Sequence, residues 1–368
     1  MERFFSGRDR GLVRETERGT CVREAFGFDI GAENSLASTQ RETYAVIFSL
    51  IALFFALAAP AHLGAADIIV TSLADSGPGS LRQAIADAPA GGTIRFTVEG
   101  DIVLTSGELL IDKPLRILGG HQQRITVRVA SNLSNSRVFR VTGAPVKIGD
   151  LTIQDGDNSL FDDEGAGILN EGDLQLLRVT IRDNKSTAGA GIANEFHATL
   201  TIINSTISGN LAVDPGICDG GVGGGIANFG GTVNLINATV TDNEGECTGG
   251  GIYLTSGTVV MSNTIVGNNH GFVKDCKGLT TGGFISRGFN LDSDATCGLD
   301  QPSDLPGVDP LLGPLQDNGG STDTHLPMAG SPAIDVGDVS TAPGRDQRGV
   351  RRPQGPASDI GSVEVEVP

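Results

Sequence analysis

Five segments in the middle of the chain repeat one pattern, and this repetition constrains the fold more than any other feature. The segments are VKIGDLTIQDG (146–156), LQLLRVTIRDN (174–184), LTIINSTISGN (200–210), VNLINATVTDN (233–243) and TVVMSNTIVGN (258–268). Apolar and polar residues alternate within each segment, which indicates a β-strand with one buried face. Because the alternation has a period of about 2 and not 3.6, helical repeats are excluded.

Aligned without gaps, the segments form columns of equivalent residues. The columns are Ile148, Leu176, Ile202, Leu235 and Val260; Thr152, Thr180, Thr206, Thr239 and Thr264; Ile153, Ile181, Ile207, Val240 and Ile265; and Gly156, Asn184, Asn210, Asn243 and Asn268. Stacked at about 4.8 Å per coil, the aliphatic columns would make one continuous core. The asparagines either form an amide ladder within the stack or line one strand face as a ladder of ligand-binding groups.

A second motif separates these segments, so that each coil carries two strand signals. It reads GAGILN (165–170), GAGIAN (189–194), GGGIAN (223–228) and GGGIYL (249–254). The repeated segments begin at residues 146, 174, 200, 233 and 258, which are 25 to 33 residues apart. A β-propeller blade needs about 40 residues and four strands. We therefore predict an all-β protein, a right-handed parallel β-helix (solenoid).

A short N-terminal helix is predicted to cover the first open end of the stack. Within DSGPGSLRQAIADAPAGGTI (75–94), Ser80 is a good N-cap and Gln83 completes a capping box. Leu81, Ala84 and Ile85 share one face, and Gly91-Gly92 is expected to end the helix. Covering a sheet edge in this way prevents edge-to-edge aggregation.

Residues 41–66 have the order of a secretory signal peptide, with an apolar run over 44–59 followed by small residues. We predict cleavage between Ala66 and Asp67, with Ala61 as the second choice. An uncleaved membrane anchor is the alternative, but the run is shorter than the roughly 20 residues that span a bilayer. The protein is therefore expected to be secreted or attached to the cell envelope.

Four cysteines follow the predicted cleavage site, and an even number in an exported chain predicts two disulfides. Joining sequence neighbours gives Cys276–Cys297 and Cys218–Cys247. A zinc site is the rival interpretation, but no pair has CxxC spacing and no histidine stands at ligand spacing beside them. We predict no metal site.

A formal net charge of −18 makes nucleic acid an unsuitable partner, because phosphate binding needs a basic surface. The negative charge serves either solubility or cation binding. The four histidines after the signal stand in unrelated contexts and are expected to be exposed or incidental; they are His121, His197, His270 and His325.

An acidic turn with basic residues one coil further on is the main catalytic candidate. Its residues are Asp150, Asp155, Asp157, Asp162, Asp163 and Glu164, with Arg178, Arg182 and Lys185. A polysaccharide lyase of this fold would need a calcium cluster of carboxylates and a basic residue facing one groove. A hydrolase would need a carboxylate pair, for which Asp155, Asp183 and Asp242 share a column. Aspartate is also the ordinary composition of tight turns, so we assign no catalytic residue and no cofactor, with calcium as the one ion to consider.

Two stretches resemble known modules. ADIIVTSLADSGPGSLRQAI (66–85) resembles the CSLREA domain, with Gly79 at the usual Cys and Gln83 at the usual Glu. The C-terminal part resembles the choice-of-anchor Q domain in NTIVGNN (263–269), GFNLDSDATC (288–297), DPLLGPLQDNGGSTDTHLPMAGSPAIDVGD (309–338), DQRGVRRP (346–353) and DIG (359–361). The resemblance implies a bacterial exported or surface β-helix protein and implies no particular reaction.

These features divide the chain into five parts. We predict an extension of unassigned role (1–40), a signal peptide (41–66), an N-terminal cap with the first coils (67–130), regular repeats (131–270) and choice-of-anchor Q-like coils with a tail (271–368). The function favoured is a non-catalytic, monomeric surface or secreted scaffold that binds glycans or other surface partners. A polysaccharide lyase or glycoside hydrolase of pectin-lyase-like fold is the alternative.

Overall fold

The computed structural model describes residues 67–366 except 121–122, 134, 161–163, 215, 217–219 and 280–282. These residues belong to one compact unit. The predicted extension over 1–40 and the predicted signal peptide over 41–66 lie outside the described residues.

Short parallel strands, numbered in chain order, form three sheets that run along the molecule. Sheet A has 14 strands: β1 Ile68–Val70, β2 Gly92–Phe96, β4 Leu109–Ile111, β5 Leu115–Leu118, β7 Phe139–Val141, β8 Val146–Gly149, β10 Ile168–Asn170, β11 Asp173–Leu177, β14 Ile192–Asn194, β15 Thr199–Ile203, β18 Ile226–Ile236, β21 Ile252–Ser262, β24 Cys276–Gly278 and β25 Phe284–Ser286. Sheet B has nine: β3 Gly100–Leu104, β6 Ile125–Val129, β9 Thr152–Gln154, β12 Thr180–Arg182, β16 Thr206–Ser208, β19 Thr239–Thr241, β22 Ile265–Gly267, β26 Leu291–Asp292 and β27 Leu305–Pro306. Sheet C has four: β13 Lys185–Ser186, β17 Leu211–Ala212, β20 Glu244–Gly245 and β23 His270–Gly271.

The predicted parallel β-helix is confirmed. A regular coil contributes two strands to sheet A and one to sheet B, as β10, β11 and β12 do. Equivalent residues pair on neighbouring coils, as Ile148 does with Leu176 and Leu176 with Ile202. In β6 and β15 the inward residues are buried and the outward ones are half-buried, in strict alternation along the whole strand. The stacked inward side chains make one apolar core through the solenoid, and its right hand follows the general rule for parallel crossovers.

The predicted capping helix is present as α1 (Leu81–Asp87), but two details of the prediction are wrong. Ser80 Oγ accepts the Gln83 N–H (3.2 Å), whereas the Gln83 side chain donates to Asp87 and not back to Ser80. The helix also ends before Gly91-Gly92. Ala88 has ψ of 131° because it precedes Pro89, whose ring disfavours a helical residue before it.

The helix buries the three residues predicted for its inner face, which are Leu81, Ala84 and Ile85. They join the solenoid core beside β1, the terminal strand of sheet A. Helix α1 therefore lies at the first end of the stack, as predicted from the sequence.

The fifth repeat is displaced by one residue from its predicted alignment. Leu235 pairs with Met261 and not with Val260, and Val240 pairs with Val266 and not with Ile265. A one-residue slip moves every side chain of a strand to the other face. Burial decides the register, since Met261 is buried while Val260 is only half-buried.

Two turns of each coil hold a residue with positive φ. The turn from sheet A to sheet B contains Asp150, Arg178, Asn204, Asn237 and Asn263, and the turn after sheet B contains Asp155, Asp183, Gly209, Asp242 and Asn268. Glycine, asparagine and aspartate tolerate this left-handed conformation best. The backbone alone therefore accounts for the shared column of aspartates.

The C-terminal tail (residues 307–366) has no regular strand among its described residues and lies against the outer face of sheet B. Thr180 Oγ1 donates to the Asp323 carbonyl (2.6 Å), and Thr206 Oγ1 donates to Gln347 Oε1 (2.7 Å). Gln347 Nε2 in turn donates to Thr180 Oγ1 (3.0 Å). The outward threonine column of sheet B is therefore occupied by the tail.

Across the described ranges, every helix is too short or too polar to cross a membrane.

Candidate functional site

The asparagine column is internal and does not form a ligand-binding face. The Nδ2 of Asn184 donates to Asn210 Oδ1 (2.9 Å), Asn210 donates to Asn243 (2.8 Å), and Asn243 donates to Asn269 (3.0 Å). All four side chains are buried. Asn269, and not the predicted Asn268, completes the column. These amides are hydrogen-bonded to one another within the stack and are not available to a ligand.

Part of the predicted acidic turn opens onto a groove of about 440 Å³ beside sheets B and C. Asp155, Asp157, Asp183 and Lys185 line it, together with Arg128. Arg128 Nη1 lies 3.8 Å from Asp155 Oδ2, and Arg182 Nη1 lies 3.1 Å from Asp183 Oδ2. The structure thus brings three of the predicted carboxylates, Asp155, Asp157 and Asp183, and the predicted base Lys185 to one groove.

Asp183 is the perturbed carboxyl of this groove. Burial raises its pKa, Arg182 opposes the rise, and the negative charge of Asp155 adds to it. The side chain still exposes 52% of its surface, so water screens these electrostatic effects. Two neighbouring carboxyls of which one has a raised pKa form the arrangement used by acid–base pairs.

The remaining acidic candidates lie outside the groove or outside the described residues. Asp150 accepts both Nε and Nη2 of Arg178 (2.6 and 2.8 Å) at the opposite turn of the coil. Asp162 and Asp163 lie outside the described residues. The carbonyl of Glu164 accepts a hydrogen bond from Arg137 (3.1 Å). Asp150 and Arg178 therefore form a structural pair.

Arg128 is the groove residue that the sequence reasoning missed. It lies in the first, irregular coils, where the repeat is hard to align, and its strand partner is Gln154, which in turn pairs with Arg182. The alternation in ITVRVA (125–130) was a usable signal, because it places Arg128 on the outward face of its strand.

Asp275, Asp292 and Asp294 form an acidic cluster that was not predicted, with one carboxylate oxygen of each within 4.8 Å of the others. Burial raises the pKa of Asp275 and of Asp292. Asp275 accepts the amide of Asn269 and the hydroxyl of Ser293 (3.0 and 2.6 Å), and so ends the asparagine ladder. These carboxylates are already engaged by protein donors, which is a structural role.

Cys276 and Cys297, which lie next to this cluster, are joined by the disulfide that was predicted from the sequence. Cys247 is buried and disulfide-bonded. Cys218 lies outside the described residues, so the Cys218–Cys247 bridge stays a prediction.

One histidine differs from expectation. His325 is buried, its Nε2 lies 2.9 Å from Ser208 Oγ and its Nδ1 lies 2.7 Å from the Gly313 carbonyl. Burial lowers its pKa, which keeps the ring neutral where the tail meets sheet B. His197 and His270 are exposed, and His121 lies outside the described residues.

The outer face of sheet A carries an open row of polar side chains on successive strands. Arg116 pairs with Lys147, Lys147 with Gln175, Gln175 with Thr201, and Thr201 with Asn234. All five side chains are exposed or half-buried. The first four also line a groove of about 430 Å³, so this row, which we call the sheet A row, is accessible to a ligand.

No family model matches the chain, and no curated protein matches it. One solved structure that resembles it is the crystal structure of pectate lyase Pel9A, at 14% identity and a TM-score of 0.39, with 82% of this chain and 97% of that chain covered.

Proposed function

We propose that the protein is an exported, non-catalytic β-helix scaffold that binds glycans along the sheet A row. The observation that carries the proposal is the stacking of five exposed or half-buried polar side chains on consecutive strands, Arg116 to Asn234. Parallel strands repeat every 4.7–4.9 Å or so, which offers donors and acceptors at regular intervals to an extended polymer. The asparagine and threonine columns are not available to a ligand. The asparagines bond to one another in the ladder, and the threonines bond to the tail.

Export is part of the same proposal. The signal-like segment over 41–66 and the disulfide Cys276–Cys297 support an extracellular location, since such bonds persist in oxidising compartments. The resemblance to CSLREA and choice-of-anchor Q modules supports a bacterial surface or secreted protein. N-terminal sequencing of protein from its native host would show a start near Asp67; a product that retains 44–59 would contradict export by cleavage.

Glycan binding is tested by affinity electrophoresis of the mature protein in gels containing neutral or acidic polysaccharides, with and without calcium. We expect retardation by at least one polysaccharide and neither new reducing ends nor unsaturated products absorbing in the ultraviolet. Gln175→Ala with Thr201→Ala should weaken retardation. If no polysaccharide retards the protein, the proposal is wrong.

A polysaccharide lyase or hydrolase is the second candidate, because the raised pKa of Asp183 beside Asp155 favours an acid–base pair in the groove with Arg128 and Lys185. In a hydrolase, Asp183 would donate a proton to the leaving glycosidic oxygen, while Asp155 would accept a proton from the water molecule that attacks the anomeric carbon.

Turnover would identify this activity, and Asp183→Asn should abolish it. Asp242→Asn is the matched control, since Asp242 occupies the same left-handed column, is 51% exposed and lies outside the lining of the groove. Turnover that survives Asp183→Asn would exclude the groove as the active site.

A further inference from the structure

We propose that Arg116 and Lys147, at one end of the sheet A row, form a subsite for the carboxylate or sulfate group of an acidic polysaccharide. This inference rests on the proposed function and specifies its ligand class. It concerns two cations in a chain whose net charge is −18.

The two cations lie directly opposite each other on β5 and β8. Like charges at such a position destabilise a sheet, whereas opposite charges stabilise it. A bound anion between them would remove this repulsion. The placement therefore favours a ligand of negative charge and has no evident benefit for folding alone.

Neither cation forms an ion pair within the part of the chain that the structure describes. The negative charge of Asp150 acts on Lys147, but both Asp150 oxygens already accept hydrogen bonds from Arg178, at 2.6 and 2.8 Å. Asp173 lines the same groove but forms no ion pair with Arg116 or Lys147. By contrast, Arg95 on β2 of the same sheet is paired with Asp67 at 2.6 Å, and Arg140 on β7 is paired with Glu171 at 2.6 Å.

Lys147 is also partly withdrawn from water. Burial lowers its pKa, and the positive charges of Arg178 and Arg116 lower it further. Leu115, Leu118 and Pro145 contribute to the walls of the groove. An anion there would meet donors in a partly desolvated setting, where charge-assisted hydrogen bonds are stronger than on open surface.

The rest of the row suits the sugar that carries the anion. Gln175 and Thr201 follow Lys147 on the next two strands and line the same groove. They are uncharged donors and acceptors of the kind that bind hydroxyl groups. A polymer along the row would thus place acidic groups near β5 and β8 and hydroxyls over β11 and β15.

The test compares binding of the mature protein to alginate, dextran sulfate and neutral dextran at two salt concentrations. We expect wild type to bind an acidic polymer more tightly than neutral dextran, with affinity falling as salt rises. Arg116→Gln with Lys147→Gln should weaken acidic binding about tenfold or more, since two charge-assisted bonds are lost. Alginate carries carboxylates and dextran sulfate carries sulfates, so comparing the affinities for the two polymers shows which anion the subsite binds.

The matched control is Lys274→Gln with Arg351→Gln, which removes the same charge from two exposed side chains outside the groove. It should leave affinity within about twofold, as expected of scattered surface charges. The melting temperature of the Arg116/Lys147 variant should equal or exceed that of wild type, because a repulsive pair is removed.

Each failure has its own meaning. Equal binding of neutral and acidic polymers, an unaffected Arg116/Lys147 variant, or an equal loss in the control variant would overturn the anion subsite and leave glycan binding in place. Absence of binding to every polymer would overturn the proposed function as well.

Discussion

At the scale of single residues, Asn210 shows what holds the coils in register. Its Nδ2 donates to the Ile181 carbonyl (3.0 Å) and to Asn243 Oδ1 (2.8 Å), and its Oδ1 accepts the backbone N–H and the side-chain amide of Asn184 (3.2 and 2.9 Å). A buried amide with all its groups satisfied specifies one arrangement, because every slipped register leaves polar groups without partners.

Asn210→Ala should therefore lower the free energy of unfolding by about 2–5 kcal/mol, since donors and acceptors on both neighbouring coils lose their partners. Urea unfolding followed by circular dichroism measures the change. Asn132→Ala is the control, because Asn132 is exposed, and its effect should stay within about 0.5 kcal/mol. Equally small effects in both variants would show that the ladder contributes nothing to stability.

At the scale of strands, the fifth repeat offers a direct test of register. Met261 is buried and Val260 is half-buried on β21. Met261→Asp should unfold the protein or cost several kcal/mol, because an unpaired charge enters the core. Val260→Asp should cost far less, because the side chain faces outward.

Thermal melting of the two variants decides the matter. If Val260→Asp were the more damaging, the alignment predicted from sequence would be right and the pairing of Leu235 with Met261 wrong.

Much of the solenoid was predictable because its signals are local. Alternating burial, glycine at turns and asparagine columns repeat in each coil, and these define the coils from 146 to 243. The fifth repeat was misaligned because three adjacent apolar residues over 259–261 and the pair Asn268-Asn269 fit two registers equally well. Only the pairing with the preceding coil separates them.

The tail and the groove were less predictable because their contacts are not local. Gln347 reaches Thr180, which is 167 residues away in the chain, and no periodic pattern signals such a contact. Arg128 lines the groove but belongs to an irregular coil outside the aligned repeats, so the repeat pattern did not predict it. The sheet A row was missed for another reason, since its residues change type from coil to coil and form no column of identical side chains.

The tail as an element should respond to pH through Asp359. Burial raises the pKa of this carboxyl to about 6 from an ordinary value of 3.8. The folded protein therefore holds the proton more tightly than the unfolded chain does. The associated stability is fully present below pH 3.8 and is lost as the pH rises through 6.

Asp359→Asn removes this titration. The free energy of unfolding of wild type should fall relative to that of the variant between about pH 4 and 7, as the linkage relation requires. Asp275 and Asp292 shift in the same direction, but they are common to both proteins and cancel in the comparison. A constant difference across this range would show that Asp359 does not titrate there.

For the whole molecule, the tail changes how a solenoid is expected to unfold. In a stack of coils each repeat contacts only its neighbours, so cooperativity weakens with length. Here one segment contacts four successive coils: Asp323 accepts from Thr180, Gln347 from Thr206 and Asp338 from Asn263, while the Ser362 N–H donates to Thr239. The tail thus connects coils that would otherwise interact only with their immediate neighbours in the stack.

The full mature chain should consequently unfold in one urea transition, whereas a chain that ends at Pro306 should unfold in a broader or stepwise one with a smaller m-value. The shortened protein also exposes the threonine column of sheet B, so its mass in solution should be measured alongside. Arg351→Gln in the full chain is the control, because Arg351 is exposed on the tail and should leave the single transition intact. A shortened chain that melts as sharply as the full one, at the same urea midpoint, would show that the tail covers sheet B without coupling its coils.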